Sequence, residues 1–120
     1  MKTKIEQSGG ELCRLFGATP RNRIIEFFLE MPSTDFTIGD VAKDIELNRA
    51  TTYNIMEGMI KEKFVIQTRK VSGGQLYKLN TEKKEVKMLL KIFDTILNGI
   101  VEEYKENEIM AVKWEHILFF

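Results

Sequence analysis

Two clusters of hydrogen-bond donors are the parts of this chain whose residue types and spacing suit chemistry. Arg49-Ala50-Thr51-Thr52-Tyr53-Asn54 sets a guanidinium, hydroxyls, a phenol and a carboxamide in one short run. Arg69 and Lys70 stand just before Ser72-Gly73-Gly74, two cations beside a small, pliant tip. Arginine and asparagine can each make bidentate pairs with base edges, and cations beside glycines can approach phosphate oxygens. Other chemistries find little support. Cys13 is the sole cysteine and His116 the sole histidine, so neither zinc spacing nor an intramolecular disulfide is available. Cys13 reads as a small buried hydrophobe rather than a redox thiol, Arg14 being the one hint of an activating cation. No phosphate-binding loop, dinucleotide fingerprint, zincin motif or nucleophile elbow occurs, and the carboxylates are spread over helix faces. The expectation is a non-enzyme with no catalytic residues, cofactor or metal.

The donors need a scaffold, and the periodicity supplies one. Ser8-Gly9-Gly10-Glu11 fits a capping box, followed by Leu12, Leu15 and Phe16 at helical spacing and a stop at Gly17. Thr19-Pro20 restarts a helix that turns Ile24, Phe27, Phe28 and Met31 inward and ends at Pro32. Phe36 reads as a very short strand. Thr37-Ile38-Gly39-Asp40 caps a helix with Val41, Ala42 and Ile45 inward, and Glu46-Leu47-Asn48 is a tight turn with Asn48 as the next N-cap. The following helix, about Arg49 to Glu62, buries Thr52, Ile55, Met56 and Met59. Arg49, Ala50, Tyr53, Asn54 and Glu57 are left on its opposite face. FVIQTRKV and LYKLN flank Ser72-Gly73-Gly74-Gln75 as a hairpin, with Val65, Val71, Tyr77 and Leu79 facing in.

Residues 82–105 form the longest periodic segment. Val86, Leu90, Phe93, Leu97, Ile100 and Tyr104 alternate spacings of four and three, with Leu89 and Ile96 widening the stripe. A helix this long exceeds what so small a core needs, so the stripe reads as a dimer seam, joined by Trp114 of the apolar tail. The division expected is residues 8–80 as the DNA-binding unit and 81–120 as a dimerisation region.

Charge sharpens this reading. The chain holds 18 Lys/Arg and 18 Asp/Glu, yet residues 47–80 carry six basic against two acidic side chains. Residues 1–46 and 81–120 each carry six against eight. Positive charge is gathered where a polyanion would be met. No apolar run reaches the ~20 residues of a membrane span, and no signal-peptide stretch follows the first lysines. The expected location is cytoplasmic, away from membranes.

Helix, helix, short strand, helix, tight turn, helix, hairpin is the order of a winged helix-turn-helix. Residues 12–80 resemble archaeal winged-helix regulators, broadly akin to the MarR and ArsR groups. The likeness rests on Leu15-Phe16-Gly17 to Pro20, on Arg49-Ala50-Thr51-Thr52-Tyr53 and on Tyr77-Lys78-Leu79. Two departures stand out. Lys63 occupies a place where that group often has glycine, and Gly58 interrupts the helix that the likeness makes the recognition helix, softening it by ~1 kcal/mol relative to Ala. The resemblance implies a homodimeric transcriptional regulator of double-stranded DNA. Asn48, Arg49, Ala50, Thr51, Tyr53 and Asn54 would lie at the major groove, and Arg69, Lys70, Ser72 and Gly73 at the backbone or minor groove. The competing reading is a winged-helix module for protein–protein contact in transcription or assembly machinery. No residue demands a small-molecule effector.

Overall fold

Helices begin where an oxygen meets their free amides. The structure is a computed structural model that describes residues 10–99. Its elements are α1 (Glu11–Phe16), α2 (Pro20–Glu30), α3 (Ile38–Asp44), α4 (Arg49–Lys61), β1 (Val65–Val71) and β2 (Gly74–Leu79). A fifth helix, α5, covers 84–99 of the described residues. Thr19 caps α2 by accepting from the Asn22 amide at 3.1 Å, with Pro20 in the first turn. Thr37 and Asp40 form a reciprocal capping box on α3. Asn48 Oδ1 accepts from the Thr51 amide and opens α4.

α1 departs from the sequence expectation. Its N-cap is Gly10, which has no side chain to offer, and Ser8 lies outside the described residues. Glu11 does not reach back across the helix start; it pairs with Arg14. The cap comes from α2 instead: the buried Glu26 carboxylate accepts from the Gly10, Leu12 (2.9 Å) and Cys13 (3.4 Å) amides. A carboxylate at a helix N-terminus binds amide hydrogens more strongly than a hydroxyl does, and it meets the positive end of the helix dipole. Cys13 is buried beside it, and burial, followed by the Glu26 charge, pushes its thiol up to about 12. The thiol is therefore protonated near neutral pH.

Helix ends matter equally. α3 stops with Glu46 at φ 53°, the Glu46 amide donating to Lys43 O and the Leu47 amide to Ala42 O at 2.9 Å. α4 stops in the same way: Lys63 has φ 59°, its amide donates to Ile60 O, and the Phe64 amide reaches Met59 O at 2.9 Å. Both are paired 5→2 and 6→1 closures that usually place glycine at the left-handed residue. Lys63 thus takes the left-handed backbone conformation that favours glycine.

The core is one cluster to which α2 contributes Ile24, Phe27, Phe28 and Leu29, α3 Val41, α4 Met56 and Met59, and the hairpin Val65 and Leu79. Met31, Ile45 and Ile55, expected inside, are half-buried at its margin. Phe36 packs edge-on against Phe27, with ring centroids 4.7 Å apart. Its backbone exchanges two 2.8 Å hydrogen bonds with Tyr77, so β2 has Phe36 on one side and antiparallel β1 on the other.

The hairpin turns more tightly than its sequence suggests, because Val71 pairs with Gly74 and only Ser72 and Gly73 lie between. Its register shifts between Gln67 and Lys70, and beyond that point the arm projects past the core. Val71 is consequently 44% exposed, against expectation, whereas Leu76 is buried. A register shift reverses which side chains face inward, and alternation alone does not reveal it.

α5 returns to the core. Val86 and Phe93 are buried within the chain's own cluster, and Leu89, Leu90 and Ile96 are packed against it. These five expected seam residues therefore serve intramolecular packing, wholly for Val86 and Phe93 and partly for the other three. The apolar side chains left outside are Met88 (57% exposed), Ile92 (40%) and Leu97 (40%). Ile100, Tyr104 and Trp114 lie outside the described residues.

Candidate nucleic-acid interface

α3 closes at Glu46 and α4 opens at Asn48, so the two helices form a helix-turn-helix with the first turn of α4 displayed. Within that turn the buried and displayed faces separate cleanly. Thr52 is buried with its hydroxyl donating to Asn48 O at 2.9 Å, while Asn48, Arg49, Ala50, Tyr53 and Asn54 are exposed and Thr51 is half-buried. The Arg49 guanidinium lies 5.9 Å from the Tyr53 ring centroid, a cation–π contact one helical turn long.

The wing tip comes back to this end of the molecule. Gly73 lines a cleft of ≈480 Å³ together with Thr37, Asp40, Lys43 and Arg49. A neighbouring cleft of ≈190 Å³ is lined by Gly39, Arg49, Tyr53, Gly73 and Gln75, among others. The structure therefore brings Arg49, Tyr53 and Gly73 together. Ser72 and Lys70 are exposed on the same arm, and Lys70 has no ion pair among the described residues.

Arg69 is differently placed. Its Nε and Nη2 donate to Asp35 at 3.0 and 3.3 Å, and Thr68 Oγ1 donates to the same carboxylate at 2.6 Å. These donors hold the Asp35 carboxyl below its ordinary value. The clamp ties the wing to the turn before Phe36. It also neutralises one of the cations that made residues 47–80 basic, and Arg21, reaching Glu62 at 3.0 Å, balances charge at the far end of α4. Neither Asp35 nor Gly39 was distinguishable as part of this end from sequence. Asp35 lies far from Arg69 along the chain, and Gly39 looked only like part of a helix cap.

A second surface lies on α1 and α5. Leu15 (55% exposed) and Phe16 (59%) complete the helical stripe begun by buried Leu12, but they face outward. With Met88, Lys91, Ile92 and Thr95, Leu15 lines an apolar cleft of ≈450 Å³. Among the described residues no group of His, Cys, Asp and Glu is arranged to hold a metal ion, and no helix is long and apolar enough to cross a membrane.

Comparison with solved structures settles the architecture. The Staphylococcus aureus regulator MepR, a transcription regulator of the multidrug efflux pump MepA, superposes with a TM-score of 0.56 at 18% identity, covering 96% of this chain and 87% of that one. MepR in complex with DNA gives 0.51 at 19% identity over 96% and 88%. A possible transcriptional regulator from Methanosarcina mazei gives 0.51 at 17% identity over 78% and 82%. The fold is a winged helix-turn-helix. At these identities the likeness establishes the winged helix and its long C-terminal helix, and nothing finer. The sequence matches no family model and no curated protein. In winged-helix terms α4 is the second helix of the helix-turn-helix and the β1–β2 hairpin is the wing.

Proposed function

We propose that the chain is a sequence-specific regulator of transcription that binds double-stranded DNA as a homodimer, from the cytoplasm. The observation that carries this reading is the displayed N-terminal part of α4, where Arg49 and Asn54 are exposed and Arg49 lies beside the wing tip. Asn48, Ala50, Thr51 and Tyr53 fill the same stretch. A short capped helix held at a fixed angle can enter a major groove with those residues leading. Lys70, Ser72 and Gly73 then meet the sugar–phosphate backbone, joined by Arg69 if phosphate displaces Asp35. MepR has been crystallised with DNA, which supports the choice of duplex as partner.

The dimer rests on the α1–α5 surface. Leu15, Met88, Ile92 and Ile96 line one apolar cleft that a second copy would cover, and the exposed Phe16 and Leu97 on the same two helices, with the half-buried Leu89 and Leu90, would add to the interface. The sequence expectation assigns Ile100, Tyr104 and Trp114, which lie outside the described residues, to the same interface. The division of labour follows residues 8–80 and 81–120, with α1 added to the dimerisation side. Selection of bound sites from a random duplex pool, followed by salt titration, tests the reading. An imperfect palindrome with half-sites about 34–36 Å apart, or a multiple of that, and affinity falling steeply with salt are expected. Failure to select any site, with salt-independent association, would favour the protein-binding use of the same fold.

A further inference from the structure

The structure describes five arginines, and four of them already donate to an acceptor. Arg14 reaches Glu11, Arg21 reaches Glu62, Arg23 reaches the Ile45 carbonyl and Arg69 reaches Asp35. Arg49 differs: among the described residues its guanidinium makes no hydrogen bond or ion pair. It is nonetheless not loose. The Tyr53 ring lies 5.9 Å from it, and its Nη2 rests against Gly39 in the first turn of α3. A methyl group added to Gly39 would stand 3.2 Å from Nη2, closer than ordinary van der Waals contact. Gly39 has negative φ and sits inside a helix, where alanine is the better residue by ~1 kcal/mol. Backbone conformation thus gives no reason for glycine here, whereas the arginine does.

We propose that Gly39 and Tyr53 are positioning residues for Arg49, holding its guanidinium in place, donors unengaged, for the O6/N7 edge of a guanine in the major groove. The inference rests on the DNA-binding reading and deepens it. An arginine carries about 2 kcal/mol of rotamer entropy, so restraining it before contact leaves less to lose when the bidentate pair forms. A π face and a backbone surface restrain the side chain without occupying its donors, which a carboxylate would do. Position matters as well: Arg49 is the first residue of α4, the end that enters the groove first.

The test compares selected-site profiles of the full chain with those of Arg49→Ala, Tyr53→Leu, Tyr53→Phe and Gly39→Ala. Arg49→Ala should lose preference for a G·C pair at one position of each half-site, about 5- to 150-fold. Tyr53→Leu should weaken preference at that same pair by about two- to fivefold, the worth of an exposed cation–π contact, and Tyr53→Phe should restore it. Gly39→Ala should weaken it too while leaving thermal stability equal or higher, which separates displacement of Arg49 from damage to the fold. Unchanged preference in both Tyr53→Leu and Gly39→Ala, or uniform weakening at every position, overturns the inference and leaves the DNA-binding reading standing. Loss at a pair other than the one read by Arg49 overturns it as well. No duplex binding by the unaltered chain removes both.

Discussion

The two ends of this molecule expose opposite chemistry and are built to opposite rules. At the helix-turn-helix end most exposed groups are polar, and three of them have local partners: Asn48 its capping bond, Arg49 the Tyr53 ring, Arg69 the Asp35 carboxylate. At the α1–α5 end the exposed groups are Leu15, Phe16, Met88, Ile92 and Leu97, and α1 is held from below by a single buried carboxylate. Polar recognition is directional and suffers from misplacement, so it needs local restraint on each donor. Apolar association is non-directional and scales with area, so it needs only a contiguous face and a firm support beneath it.

The contrast is broken most severely at the apolar end. Met88→Glu with Ile92→Glu places two charges on a face proposed to be covered by a second copy, at positions the protomer itself leaves exposed. The variant should fold, sediment as a monomer at micromolar concentration and bind an operator duplex about 100-fold more weakly or worse, because two linked half-site contacts become one. A tight-binding monomer would sink the dimer model.

Removing the support comes next. Glu26→Ala leaves the Gly10, Leu12 and Cys13 amides without their acceptor in a buried place, and should lower stability by about 2–3 kcal/mol. Denaturant titration measures this, and amide exchange should rise in α1 before it rises in α4. Cys13, protonated and buried in the intact protein, should resist alkylation at pH 8 and become reactive in the variant.

A smaller effect belongs to the left-handed stop of α4. Replacing Lys63 by Gly removes the steric penalty of a φ of 59°. The variant should raise stability by up to about 1 kcal/mol, read by denaturant titration.

The least effect on stability is expected of the wing clamp. The Asp35 carboxyl is held below its ordinary value chiefly by the Arg69 hydrogen bonds, so the folded-state pKa lies under the unfolded one. The clamp is therefore fully present above about pH 4 and opens only as pH falls through the lowered value. Wing spectra should be constant from pH 5 to 8. Asp35→Asn should leave the melting temperature almost unchanged, tighten duplex binding and steepen its salt dependence by up to about one counterion, since Arg69 is then free for a phosphate. A shallower slope would show that the clamp positions Arg69 rather than occupying it.

Much of the fold was legible in the chain itself because the signals are local. Thr19-Pro20, Thr37 with Asp40, and Asn48 each satisfy amides within three residues of themselves, and the spacing of Ile24, Phe27 and Phe28 or of Thr52, Met56 and Met59 fixes a helix face without reference to anything distant. The displayed face of α4 followed from that, and with it the positions of Arg49, Tyr53 and Asn54.

Tertiary structure alone decided which partner each group meets. Ser8 looked like the cap of α1, yet Glu26, from the next helix, supplies the acceptor. Val71 kept the alternation of an inward strand residue, yet a register shift and a projecting hairpin turned it to solvent. Val86 and Phe93 kept the spacing of a seam, yet the core of their own chain took them, leaving the neighbouring stripe of Met88, Ile92 and Leu97 outside. Arg49 and Arg69 both read as cations open to a polyanion, and only the approach of Asp35 showed that one of them is already paired. Periodicity records that a residue lies on an apolar or polar face. Which surface that face meets depends on contacts between residues far apart in the chain, and spacing along one helix or strand carries no information about them.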